Sequence, residues 1–182
     1  MEPLKHTPEE LAALAVELVF WLKQQRESFF PYGIPLSSAE KMQLRPFFTA
    51  EIIESLRVVR LWQTGRTVPH PPFYEKFRAG GQRLLPDLVH STALPLIDVV
   101  AFNSEPTLRT IFHSLVHLTQ FAIVGLERVA EGYLRTIDES GVWMVVPFGE
   151  QAYQMDARYT RNPADVFSVE EEVREWLRSG RF

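Results

Sequence analysis

The chain has no cysteine among its 182 residues, which excludes disulfides and every thiolate-ligated zinc site. A metal held here would rest on histidine and carboxylate. Basic blocks are also missing: 19 Lys and Arg stand against 23 Asp and Glu, a net charge of -4. Phosphate recognition needs a basic face, so nucleic acid is not an expected partner. No run approaches the roughly eighteen uncharged apolar residues of a membrane span. The first apolar run, Leu11 to Leu22, is interrupted by Glu17 and has neither the basic start nor the cleavage site of a signal peptide. A cytoplasmic location is the expectation. Phosphate loops, dinucleotide fingerprints and G-x-S-x-G are absent too.

What is present is ordinary globular material, 46% hydrophobic and 23% charged, enough for one sizeable core. Thr7, Pro8, Glu9 and Glu10 open a helix whose apolar stripe runs Leu11, Leu14, Ala15, Leu18, Trp21, Leu22. Ser37 with Glu40 caps a short helix, and another follows from Thr49 to Leu56. Arg57–Trp62 and Leu96–Phe102 read as strands, and the Pro- and Gly-rich stretch from Gln63 to Pro95 between them reads as loop with room for a short strand. Asn103 or Ser104 is expected to cap a central helix with Glu105 and Pro106 in its first turn. That helix breaks at Gly125 and continues to about Thr136. Val142–Val146 reads as a buried strand, Glu150–Arg161 as a helix, and Ser168 with Glu171 caps the last helix. One α+β domain in which helices dominate accommodates this order. Residues 1–102 form an N-terminal helical and loop part with strands, 103–161 the site helices, and 162–182 a C-terminal helix.

His113 and His117 lie four apart in the most apolar helix of the chain, so both imidazoles project from one face. Such a pair can share a zinc ion, each nitrogen at roughly 2.0–2.1 Å. Five histidines make this spacing a chance event in about one such sequence in ten, so the setting has to add to it. Arg109, His113, His117 and Gln120 form a polar stripe through Leu108, Ile111, Phe112, Leu115, Val116 and Leu118. Buried polar groups need partners, so the stripe must face a polar cavity, a metal or a hydrogen-bond network. His70, in Pro69-His-Pro-Pro72, reads as a solvated loop residue and His90 as a core residue. The aromatic cluster Phe29, Phe30, Tyr32, Phe47 and Phe48 reads as core.

Three segments also carry a family likeness: Phe112-His-Ser-Leu-Val-His-Leu-Thr-Gln-Phe121, then Gly125 with Tyr133, then Val146-Pro-Phe-Gly-Glu-Gln-Ala-Tyr153. Together they resemble the small bacterial zincin-like proteins, in which an F-H-E-L-V-H-x-x-Q helix precedes a glycine and a P-x-E-x-x-A-Y segment. The resemblance covers residues 103 to 161 and implies a zincin-like single domain with a few short strands. It further implies zinc, in a site either filled or left as an empty relic. His113 and His117 would be the imidazole ligands and Glu150 the third, although Gly149 occupies the expected place. Asp138, Glu139, Glu127 and Glu131 are the competing carboxylates. Ser114 stands where the family has its general-base glutamate, and a serine hydroxyl accepts no proton at neutral pH.

The leading expectation is therefore a metal-binding protein that has lost peptidase activity. A metal-dependent hydrolase using another base, such as Glu105 or Glu127, is the second reading. A metal-free structural or interaction module is the third. Its partner would be a small molecule or a peptide, with oligomeric state unassigned.

Overall fold

The computed structural model describes residues 6–79, 85, 87–141 and 146–180. Helix α1 (Pro8–Phe29) begins as its sequence dictates: the Thr7 side chain accepts from Glu10 N while Glu10 returns a bond to Thr7 N. A 3₁₀ turn over Phe30–Tyr32 follows. Next come α2 (Ser38–Leu44), with the expected Ser37/Glu40 capping box, and α3 (Ala50–Ser55), capped by Thr49.

Strand β1 (Arg57–Arg60) is shorter than expected, because Leu61–Thr64 turn into a short helix, α4, that ends at the left-handed Gly65. The loop stretch holds a short strand, β2 (Ala93–Leu96), as the sequence allowed, and a helix it did not suggest, α5 (Tyr74–Ala79). The expected strand Leu96–Phe102 is in fact a hairpin corner. Leu96 ends β2, Ile97 and Asp98 turn with Ile97 at φ 68, and β3 covers Val99–Phe102. The order is β1-β3-β2, with β1 parallel and β2 antiparallel to β3. Arg26 grips the Asp98 carboxylate through Nε and Nη2 at 2.7 and 2.8 Å, tying the hairpin corner to the end of α1.

Helix α6 (Leu108–Val124) starts later than the sequence suggests. Thr107, not Asn103 or Ser104, is its cap, exchanging bonds with Thr110. Asn103 is committed elsewhere: its amide donates to Val89 O and Ser91 O and pins the preceding turn. Glu105 pairs with Arg60, outside the helix. Gly125 separates α6 from α7 (Leu126–Ser140), and its φ 88, ψ 146 is a conformation open in practice to glycine alone. Helix α8 (Pro147–Arg161) begins three residues before the expected Glu150, since Pro147 suits a first helical position. The expected strand at 142–146 lies outside the described residues except for Val146, which caps α8. Helix α9 (Val169–Arg178) closes the order, capped by Ser168, with Val169 and Val173 buried.

The architecture is thus α+β with helices dominant. Helix α6 is the hub, packed against α7, α8, α9 and β2, while α1 lies along α7. Phe47 and Phe48 meet Phe112 edge-on, and Tyr159 stacks on the same ring at 4.3 Å. Of the aromatic cluster, Phe29, Phe47 and Phe48 are core, whereas Phe30 and Tyr32 are exposed. No helix among the described residues is long and apolar enough to cross a membrane.

Candidate functional site

The polar stripe of α6 survives inside an apolar helix because α8 supplies its partners. On α8 the row Phe148, Gln151, Ala152, Met155, Tyr159 is buried. An adjoining row at i, i+4 and i+7, Gly149, Tyr153 and Asp156, faces the same cavity as the histidines. Asp156, itself buried, takes Arg109 on one oxygen (3.2 and 3.0 Å) and His113 Nδ1 on the other (2.9 Å). Tyr153 covers the His113 ring at 4.6 Å between centroids.

The hydrogen bonds fix both tautomers. Gln120 uses its two amide hydrogens on Phe148 O (2.9 Å) and Gln151 Oε1 (2.8 Å). Its oxygen therefore faces His117 Nδ1 at 2.9 Å and must accept from it. His117 carries its proton on Nδ1, as His113 does toward the Asp156 carboxylate. Both Nε2 atoms then present bare lone pairs, and they face each other at 3.2 Å. A proton on either ring would relieve that opposition, but burial resists it. Burial, reinforced by the charge His113 would carry and opposed by the Gln120 bond, pushes His117 down to about 3. Burial also lowers His113; the Asp156 bond and charge work against this, while Arg109 adds to it.

Two Nε2 atoms bound to one ion at the roughly 2.0–2.1 Å of zinc ligation, at a tetrahedral angle, would lie about 3.3 Å apart. The observed separation fits that pair. The acceptors behind each Nδ1 are of the kind that orient metal-bound imidazoles.

The expected third ligand does not join them. Glu150 is exposed, does not line the cavity, and accepts from Gln154 Nε2 at 3.2 Å. Asp138 is buried but engages His6, whose Nδ1 lies 2.6 Å from Oδ1. Glu127 sits opposite Lys23 at 3.9 Å, and Glu131 and Glu139 are exposed. Among the described residues no group of three or more His, Asp or Glu side chains is arranged to hold a metal. Gly149, at the place the family likeness reserves for the carboxylate, lines the cavity, and an added Cβ there would meet open space. Ser114 is fully buried on the cavity wall and donates to Thr110 O at 2.8 Å, so it supplies no base beside the histidines. Of the alternative bases, Glu105 is held by Arg60 and Glu127 lies opposite Lys23, and neither lines the cavity.

The cavity itself measures about 780 Å³, within the range of roughly 300–1,000 Å³ seen for small-molecule pockets. Helices α1, α6, α7 and α8 and strand β2 wall it. His90, expected in the core, is instead exposed at its rim and bound to Asp87 at 2.7 Å. His70, expected in solvent, stacks on Tyr74 at 5.2 Å with Nδ1 buried.

Asp156 and Gln151 are the site residues that sequence reading missed. The available signal was the Gly149, Tyr153, Asp156 spacing, which places a carboxylate two turns from the family glutamate position on the same row. No family model, curated protein or solved structure matches the chain.

Proposed function

We propose that the chain is a zincin-like protein whose catalytic centre has become a binding site. It takes a divalent metal, zinc by preference, on His113 and His117 without hydrolysing peptides. The observation that carries this is the pair of unprotonated Nε2 atoms opposed at 3.2 Å with both Nδ1 atoms committed. Such opposition of lone pairs is relieved by a cation between them. The ion would have two protein ligands, its other positions being left to water or to a guest in the cavity. Loss of hydrolysis follows from Ser114, which offers neither a base nor a proton acceptor. The small binding partner expected from sequence is in keeping with the cavity.

Protein stripped with chelator and titrated with zinc or cobalt should take up about one equivalent and melt at a higher temperature, by mass action on the native state. His113→Gln should abolish both effects. Uptake below about a tenth of an equivalent at saturating zinc would remove the metal from this reading.

A second reading keeps the cavity and discards the metal. The exposed position of Glu150 favours it, since no third His, Asp or Glu joins the pair among the described residues. Here the two rings act as a fixed polar wall, and nitrogen NMR should show both Nδ1-protonated with shifts indifferent to zinc.

A further inference from the structure

The outer face of α1 carries a feature that neither the core nor the histidine pair explains. One side of this helix, with Leu14, Leu18 and Trp21, is buried against the rest of the fold. The opposite side, at the spacing of a single helical face, holds Ala12, Ala13, Val16 and Phe20, all exposed. Val16 is 68% and Phe20 61% exposed. Isolated apolar residues on a surface are ordinary, but a continuous row of them along the middle of a helix marks a contact surface. The exposed rings just beyond α1 are covered: Arg26 lies 4.2 Å above Phe30 and Arg66 5.0 Å above Tyr32. No ring or cation covers Phe20 among the described residues. Glu9 closes the row at its start and Lys23 at its end, and both are exposed. Lys23 stands 3.9 Å from Glu127, an outward-lying pair of the kind that holds a side chain only loosely.

We propose that this face pairs with its own copy, two chains associating through antiparallel α1 helices about a twofold axis at Val16. The row itself sets the occupant, the direction and the register. It is acidic at one end and basic at the other, so an antiparallel copy brings each Lys23 against Glu9 of the second chain. A parallel copy would set Lys23 against Lys23. With Val16 on the axis, Phe20 lies over Ala12 and Ala13 of the second chain, the largest side chain of the row on its two smallest. Such a face is self-complementary, which is what a twofold contact requires. Sliding the copies until Phe20 meets Val16 would instead oppose Glu9 with Glu27, both exposed, and like charges disfavour it. From Glu9 to Lys23 the row spans about 21 Å of helix, a contact below the roughly 1,200 Å² of stable interfaces. The dimer is therefore weak, with a Kd on the order of tens of micromolar. The inference depends on neither the metal nor the cavity.

The test is sedimentation of the full chain from about 1 to 300 µM, in chelator so that no metal bridges two chains. Apparent mass should rise from 21.0 kDa toward twice that value and stop there. Phe20→Ser, Lys23→Glu and Glu9→Lys should each weaken the dimer about tenfold or more, since every contact is made twice. All three positions are exposed, so circular dichroism should confirm an unchanged fold. The double variant Glu9→Lys, Lys23→Glu exchanges the charges in both copies and should restore affinity to within about threefold. The chain has no cysteine, so Val16→Cys supplies a lone thiol on the axis that should link to its own copy under mild oxidation. Gln24→Cys, equally exposed, places its two thiols about 24 Å apart along the helices and should link far more slowly. A single-chain mass throughout the range overturns the proposal, as does a dimer indifferent to Phe20→Ser. Failure of the double variant to restore pairing, or equal linking of the two thiols, overturns it as well. Growth beyond two chains would do the same, because a closed twofold contact cannot propagate.

Discussion

At the scale of single residues, two positions bear on the proposed zincin-like reading. Ser114 offers no base where that reading would place one, and Gly149 lines the cavity with open space at its Cβ position. Gly149 lies in the first turn of α8, where an acidic side chain also suits the helix dipole. Gly149→Glu should raise zinc affinity about tenfold or more, read by competition with a chromophoric chelator. Affinity left unchanged would show that position 149 does not reach the pair. The double variant Ser114→Glu, Gly149→Glu should gain slow, chelator-sensitive amide hydrolysis that neither single change confers, since the base alone is worth roughly 10²–10⁴ in rate. Gln120 is the other decisive residue, because its amide both sets the His117 tautomer and joins α6 to α8. Replacing it with Met should cost about 1–3 kcal/mol in denaturant unfolding, as Phe148 O and Gln151 Oε1 lose their donor.

At the scale of elements, the site depends on how α6, α7 and α8 are set against one another. Gly125 turns the chain between two walls of the cavity at φ 88, ψ 146, where a Cβ is strained whatever space surrounds it. Gly141, at φ 69 after α7, is a left-handed helix end with nothing within 4 Å of an added Cβ. Gly141→Ala is expected to cost about 1 kcal/mol, and Gly125→Ala more, on the order of 1–3 kcal/mol. Only the latter should also disturb ligand or metal binding; equal costs with intact binding would mean that the α6–α7 angle is set elsewhere. The caps of α1, α2 and α9 were legible in the sequence because a Ser or Thr bonding three residues ahead is a local event. The start of α6 was misread because Asn103, an equally good local cap, is drawn to carbonyls of residues 89 and 91. That competition is between distant segments, and no local pattern records it.

At the scale of the whole molecule, the cavity makes the protein sensitive to alkali. Burial is the largest cause raising the Tyr74 and Tyr133 phenols above their ordinary 10.0. Above about pH 10 the unfolded chain releases protons that the native chain retains, so stability is full below that pH and declines as pH rises further. Spectrophotometric titration should show these two phenols ionising only together with unfolding, and Tyr74→Phe should flatten the decline. Smooth ionisation of all five tyrosines near pH 10 in folded protein would contradict the burial of this wall.

The sequence alone determined the things that periodicity and composition control: a helix-dominated α+β chain, a His113–His117 pair on one face, and a polar stripe that had to find partners. It also placed Ser114, which offers no base, between the two histidines. Tertiary structure decided which partners came. Asp156 and Gln120 hold the rings, while Glu150 turns away to solvent. It decided as well that the stripe opens on a cavity walled by α1 and α7. The reason is geometric. A helix fixes the angle between its own side chains to within its pitch, but the rotation of one helix against another is set by packing of the entire core. A shift of one position on α8, from 149 to 150, is enough to exchange a wall of the cavity for solvent.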